Sequence, residues 1–421
     1  MKQGYLSQYF KAVAAKTLSA VEADSTKSNQ HEFNGDATLK KIFGIEKQKF
    51  PARFIYLRDF DNEPLIDDGF LTWYDARERH ATRSEYRMYF PKTSVSICMT
   101  VGDELFIGLK PDNSILAVIA EGESTIANQI QWLFGLTDIN QPSFSGREEP
   151  ESENDRIEFA SKLILEQIGI EIDEMDTEYL GEMLRRFDGS FPKTKDFSAY
   201  ARSTIKDISA FDNPDSVLMC WMEREEILFR TLEKHLIALH LSVHPFKLIG
   251  NVNENHNGIS GVDVDKFISY ALSVINRRKS RVGHALENHI EQIFIDRNIK
   301  FNRSKVTEGK SKPDFVFPGI LEYHNNAFDV SLLTMLGVKS TCKDRWRQVL
   351  SEAGKIQNKH LLTLEAAISE NQTNEMRSNN LQLVVPSAIQ ESYSEQQRKW
   401  LINMEDFVKL VQEKQSKTFP V

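Results

Sequence analysis

The chain has 421 residues, 40% hydrophobic and 27% charged, which supplies enough apolar side chains for a sizeable core and excludes wholesale disorder. The length predicts two or three domains, and no apolar run approaches the roughly 18 residues that a membrane-spanning helix needs. Met1-Lys2-Gln3-Gly4-Tyr5 lacks the basic-then-apolar build of a secretory signal, and Cys98, Cys220 and Cys342 form no CxxC pair. These features predict a soluble cytoplasmic protein with no membrane association and no cysteine-based zinc site.

In chain order, Leu6 to Ala23 has helical apolar spacing and is followed by a polar stretch from Ser25 to Asp36. From Arg53 to Phe134 the texture is β-rich. The alternating runs Arg53 to Leu57, Tyr86 to Phe90, Glu104 to Gly108 and Leu116 to Ala120 are broken by turn signals such as Asp67-Asp68-Gly69 and Pro111-Asp112-Asn113. Short strands at this spacing predict a small barrel or sandwich. Gln141 to Asp155 combines Pro, Ser, Gly and Glu with almost nothing apolar and reads as a linker. Helical spacing returns over Ile157 to Phe187 and Val217 to Leu241, and Asn251 to Gly261 reads as a loop. Asp265 to Arg277 and Ala285 to Arg297 read as two helices. Strands are then predicted at Pro313 to Phe317, Leu336 to Ser340 and Leu381 to Val385, with a helix starting at Asp344, which makes an α/β core. The predicted domains are 1–140 (β-rich), 141–156 (acidic linker), 157–216 (helical connector) and 217–421 (α/β core).

The net charge of -9 is unevenly spread. Arg147 to Asp188 is dominated by carboxylates, whereas Arg277 to Lys312 carries Arg277, Arg278, Lys279 and Arg281 and then six further basic residues against few acids. Phosphate attraction acts within a Debye length, so a local basic stretch is a better nucleic-acid footprint than the total charge. A solvated charged face is the plainer alternative.

The chemistry-bearing stretch is Lys312-Pro313-Asp314-Phe315-Val316-Phe317, followed by Leu336 to Lys355. Asp314 opens an apolar strand, and Lys339 sits in a second one, where a charge is costly without a partner or a task. Period-two alternation sets Met335, Gly337, Lys339 and Thr341 on one face. The following helix is predicted to align Arg345, Gln348, Glu352 and Lys355 on one stripe. Taken singly, Asp314 reads as a turn cap, Lys339 as an edge-strand gatekeeper and Glu352 as part of a solvated helix face. Taken together, two carboxylates and a lysine suit Mg²⁺-assisted phosphodiester hydrolysis, the lysine orienting water and offsetting phosphate charge.

This pattern resembles the PD-(D/E)XK nuclease fold and, within it, the EcoRII-type restriction endonucleases, densely from about Val217 onward. The most specific stretches are Arg277 to Arg281, Lys312 to Phe315 and Lys339 to Gln348. The resemblance implies Asp314, Lys339 and Glu352 as the catalytic, Mg²⁺-binding set, Glu287 as a further metal-site acid, and Tyr323 at an active-site position. The family's usual acid two residues before the lysine is here Gly337, so the second carboxylate is expected from Glu352. Lys343, Asp344 and Arg345 match the segment that reads C:G pairs, where Arg or Lys donates to guanine and Asp accepts from cytosine. A CCWGG-like palindrome in double-stranded DNA is implied, cut by a homodimer whose symmetry matches that of the site. Near the N-terminus, Arg77, Arg83, Glu85 and Arg87 lie among aromatics in a predicted strand-loop-strand, a mixture suited to phosphates and base edges. In the family a β-barrel-like N-terminal domain binds a second, effector copy of the target. The competing readings are a repair or recombination nuclease without sequence choice, and a DNA-binding regulator with an inactive core. A Mg²⁺ requirement separates both nuclease readings from the regulator, and fixed cut ends separate the first two.

Overall fold

Four of the predicted alternating runs become strands of a single sheet. The structure is a computed structural model that describes residues 6–23, 31–59, 63–80, 82–136, 139, 143–148, 159–170, 176–206, 208–243, 264–342 and 345–418. One compact unit comprises Met1–Ile172, Glu365–Ser378 and Ile389–Trp400; the other comprises Asp173–Leu364, Asn379–Ala388 and Leu401–Val421. The stretch 217–421, predicted as one domain, therefore contributes to both units.

The first unit is built on β1 (Ala12–Thr17), β2 (Glu32–Asn34), β3 (Gln48–Leu57), β4 (Leu65–Asp75), β5 (Tyr86–Tyr89), β6 (Glu104–Leu109), β7 (Ile115–Ala120) and β8 (Ser145–Glu148). They form a half-barrel sheet in the order β2-β5-β4-β3-β7-β6-β1-β8, antiparallel except where β3 meets β7. Period two decides which side chains enter the core. Phe54, Tyr56, Leu71, Trp73, Leu105, Ile107, Ala117 and Ile119 line one face. Phe106, Val118 and Ala120 are buried on the other, where Phe106 meets Phe134 of the Thr125–Phe134 helix edge-on at 6.0 Å. β6 and β7 are thus buried on both faces, each large side chain contributing about 1.5–3 kcal/mol.

Two expectations change here. Leu6 to Ala23 is not one helix: a short 3₁₀ turn (Leu6–Gln8) leads into β1, which is buried between β6 and β8. The small side chains of Ala12, Val13, Ala14 and Ala15 fit a doubly covered strand, and tertiary pairing overrides their helical spacing. Within the predicted linker, Ser145–Glu148 is the edge strand β8. Just before it, Phe144 is buried in the core of that sheet, while linker residues 141–142 and 149–155 lie outside the described residues.

The second unit combines helices Leu180–Arg186, Thr194–Ser203, Pro214–Val243, Val264–Asp296 and Met404–Thr418 with a five-stranded sheet. That sheet contains β9 (Asn302–Arg303), β10 (Phe315–Phe317), β11 (Thr334–Lys339), β12 (Lys359–Thr363) and β13 (Leu381–Val384), in the order β13-β12-β11-β10-β9. β11, β12 and β13 run parallel, and β9, β10 and β11 are antiparallel. Phe294 packs edge-on against Phe315 and Phe317 at 5.3 and 5.1 Å, fixing the Val264–Asp296 helix to the sheet. Asp215 accepts backbone N–H groups from Met404 and Glu405 and so caps the Met404–Thr418 helix. The predicted α/β core with a mostly β N-terminal region and intervening helices is the architecture of the chain. Two details differ. The two helices expected between Asp265 and Arg297 are one continuous helix, which passes Gly283 without a break. β12 was not anticipated, and it lies between the two parallel neighbours that carry the α/β pattern. Among the described residues no helix is long and apolar enough to cross a membrane.

Candidate active site

Asp314 stands immediately before β10, and Lys339 ends β11 on the adjoining strand. The antiparallel register pairs Phe315 with Leu336, which brings Asp314 beside Val338 and Lys339. Asp314 Oδ2 accepts the Val338 N–H at 2.7 Å and the Lys339 ammonium at 3.1 Å. Lys339 also donates to the Val338 carbonyl. Both side chains are under one-fifth exposed, so this pair is half-desolvated yet open to a ligand.

Glu352 does not lie on a helix as predicted. The helix after β11 is only Trp346–Leu350, and Glu352 occupies the turn beyond it, its N–H bonded to the Val349 carbonyl. Glu352 Oε2 is buried and has no hydrogen-bond partner among the described residues. Burial pushes the carboxyl up to about 7; the charge of Asp314 adds to this, and Lys339 and Lys359 oppose it. An orphaned, buried carboxylate oxygen held within reach of a second carboxylate's charge fits a hard divalent cation, which takes oxygen ligands. Asp314 and Glu352 are therefore the residues that would hold one.

The structure also explains why position 337 carries no acid. A Cβ on Gly337 would lie 2.9 and 3.0 Å from the two methyl carbons of Val349, on the helix packed over β11. The helix fills the space that a side chain at 337 would need. Restoring an acid by Gly337→Asp is expected to destabilise the fold by about 1–3 kcal/mol through overpacking and a buried charge, and not to replace Glu352. A denaturation midpoint equal to wild type, together with activity in Gly337→Asp/Glu352→Ala, would contradict this.

Tyr323 is fully buried, and its hydroxyl is engaged twice: it donates to Glu308 Oε1 and accepts the Lys355 N–H at 3.2 Å. Burial and the bond to Glu308 push the phenol above its ordinary range. Among the described residues it hydrogen-bonds neither Asp314 nor Lys339, so it braces the turn beyond Glu352. Glu287 accepts from Arg303 at 2.7 Å, and the same guanidinium also bonds Asn288 and Glu291. No three acidic, histidine or cysteine side chains gather as a metal-binding group among the described residues, so Glu287 is not joined to Asp314 and Glu352.

Of the predicted DNA-contact residues, Lys343 and Asp344 lie outside the described residues. Arg345 is exposed, and its guanidinium donates back to Thr341 O and Oγ1. The basic run on the Val264–Asp296 helix turns largely inward. Arg281 is buried over the rings of Phe197 and Phe229, Arg277 lies 3.8 Å from the Phe191 ring, and Arg278 bonds buried Glu233 at 2.5 Å. Only Lys279 of that run is exposed. In the first unit Arg87 bridges Glu85 and Glu32 at 2.5 and 2.7 Å, and Arg77 pairs with Glu85 at 2.5 Å. Arg83 is exposed in the loop between β4 and β5.

Residues 229–408 match the family model described as EcoRII C terminal. The type II restriction enzyme EcoRII of Escherichia coli is 49% identical over 146 residues, which are 34% of this chain and 36% of that enzyme. The chain thus spans about a third of the length of the curated relative it matches. Among solved structures, metal-depleted Ecl18kI in complex with uncleaved DNA aligns over 58% of this chain and 86% of that one, with 20% identity and a TM-score of 0.45. A PspGI restriction endonuclease–substrate DNA complex aligns over 54% and 94%, with 16% identity and a TM-score of 0.43. Residues 229–408, the part of the chain that is similar to the EcoRII C-terminal family, carry Asp314, Lys339 and Glu352.

Proposed function

We propose that the protein is a type II restriction endonuclease that hydrolyses both strands of double-stranded DNA at a short, CCWGG-like palindrome in a Mg²⁺-dependent reaction. The observation that carries this reading is Glu352 Oε2, unpartnered among the described residues, in the electrostatic reach of Asp314 and Lys339 and within the segment that matches the EcoRII C terminal. When bound, Mg²⁺ supplies positive charge at the scissile phosphate and acidifies the attacking water. Asp314 and Glu352 would hold that ion. Lys339 leaves its bond to Asp314 in part to orient the water and to donate to a phosphate oxygen. Lys343, Asp344 and Arg345 read the C:G pairs, and Lys279 contributes phosphate attraction. Arg77, Arg83 and Arg87 of the N-terminal unit contact a second, effector copy of the site.

The enzyme acts as a homodimer, whose symmetry matches that of a twofold site. Support comes from the Val264–Asp296 helix, which exposes Ile268, Leu272 and Ile275 on one stripe at i, i+4 and i+7. Leu272→Asp is expected to convert a species sedimenting at the mass of two chains into single chains. A monomeric wild type bound to its site would count against the dimer.

The whole reading is tested by digesting unmethylated phage DNA with and without Mg²⁺ and sequencing the ends. Discrete ends at one palindrome, lost without the metal, are expected. Ragged ends would favour a nuclease without sequence choice, and no cutting in the presence of a site-bearing oligonucleotide would remove the enzymatic reading.

A further inference from the structure

The turn from Glu352 to Ile356 is held by side chains distant in sequence that bond its backbone. Lys359, the first residue of β12, is buried, and its ammonium donates to the carbonyls of Glu352 at 2.6 Å, Ala353 at 3.3 Å and Ile356 at 3.0 Å. A lysine has three N–H donors, and all three are used on this one turn. Glu308 Oε2 accepts the Gly354 N–H at 3.0 Å, and its other oxygen receives the Tyr323 hydroxyl. That hydroxyl accepts the Lys355 N–H, while Lys355 Nζ returns to the Tyr323 carbonyl at 2.9 Å and to Asn326 Oδ1 at 3.1 Å. Between the two sets of anchors Ala353 is kept at φ +47°, a left-handed conformation that a residue with a Cβ adopts at a cost.

We infer that Lys359 and Glu308 are positioning residues that clamp the Glu352 turn through its backbone carbonyls and an N–H group, respectively, and so preset the second carboxylate for a divalent cation. The inference rests on the cation-site reading above. It follows from the chain's own geometry: with position 337 closed by Val349, the second carboxylate comes from a turn after a five-residue helix. Such a turn has no strand pairing to fix it. The ammonium and the carboxylate of the clamp take over that task by binding its backbone carbonyls and N–H groups, leaving the Glu352 side chain itself uncommitted.

The test is calorimetric titration of the full chain with Mn²⁺, in the presence of site-bearing DNA whose scissile phosphates are replaced by a non-hydrolysable linkage, for wild type, Glu352→Gln, Lys359→Met and Glu308→Gln. Thermal denaturation serves as the folding control. Supporting partners of metal ligands typically set affinity by about 10–100-fold, so each clamp variant is expected to weaken Mn²⁺ by about tenfold or more. Half-maximal cleavage should move to correspondingly higher Mg²⁺, while the rate at saturating Mg²⁺ stays within about threefold of wild type. Lys359→Arg, which keeps the charge and the donors, should recover most of the affinity. Should Lys359→Met fail to fold, Glu308→Gln carries the test, because Glu308 is exposed and its loss leaves the core intact. Folded clamp variants with wild-type Mn²⁺ affinity, alongside a weakened Glu352→Gln, would overturn the clamp and leave the site reading standing. Wild-type affinity in Glu352→Gln itself would overturn both.

Discussion

Lys339→Ala is expected to lower the single-turnover cleavage rate by a factor on the order of 10²–10³ or more, while affinity for site-bearing DNA changes only a fewfold. Lys339 ends a buried strand with its ammonium 3.1 Å from Asp314 Oδ2, and the Val338 N–H already fills another acceptor position on that oxygen. A lysine needed only to neutralise Asp314 would be a poor use of a half-desolvated charge. One that can turn toward a phosphate oxygen acts where negative charge develops, which is where removal costs most. Asp314→Ala should match the loss of cleavage, but it also removes the acceptor of the Val338 N–H and so carries an additional stability cost of about 1 kcal/mol. Lys339→Ala is therefore the cleaner variant. Cleavage within tenfold of wild type, or a parallel collapse of specific binding, would contradict its role.

The Asp314–Lys339 pairing was legible because it depends only on two apolar runs and period two. An antiparallel pair with Phe315 opposite Leu336 places the two charges side by side in any sheet that buries both strands. Glu352 was legible as a candidate but not as a geometry. Spacing suggested a helix through Lys355, whereas the helix stops at Leu350 and Ala353 turns left-handed. The turn beyond that stop is bonded by Lys359 and Glu308, across gaps of 7 and 46 residues from the carbonyl and N–H they bind, and no local pattern signals such bonds. The same limit explains Leu6 to Ala23, where pairing with β6 and β8 turned helical spacing into a strand. It also explains the basic run, because charge counting cannot see that Arg281 lies over two phenylalanine rings. The closed space at Gly337 was visible only as a missing acid, and its cause, the methyl groups of Val349, needed the packing.

Glu352→Gln is expected to abolish cleavage and, in metal-free buffer at pH 8, to make the second unit more stable than wild type. The folded carboxyl titrates at about 7, above its ordinary 4.5, because burial and the charge of Asp314 disfavour the anion. Between those two values the folded state holds a proton that the unfolded state has released, so wild-type stability falls as pH rises from about 4.5 through 7 and is level above that. Glutamine cannot ionise and escapes this loss. With a discount for partial exposure, the gain at pH 8 is on the order of 1–2 kcal/mol, and it vanishes below the ordinary carboxylate range. The same proton opposes the cation: below about pH 7 a divalent ion must displace it, so wild-type metal affinity should drop up to tenfold per pH unit. Cleavage at subsaturating Mg²⁺ should fall in parallel and recover with added Mg²⁺. Urea denaturation of both proteins at pH 5 and pH 8, with 1 mM EDTA or 10 mM Mg²⁺, checks each part. Added Mg²⁺ should stabilise wild type at pH 8 and leave Glu352→Gln unmoved. A glutamine variant less stable than wild type at pH 8 without metal would mean that Glu352 has a partner in the folded state, and its unpaired oxygen would no longer argue for a cation. A stable glutamine variant that still cleaves would instead mean that Asp314 and Lys339 suffice, and the turn held by Lys359 would have to serve recognition of the site rather than its hydrolysis.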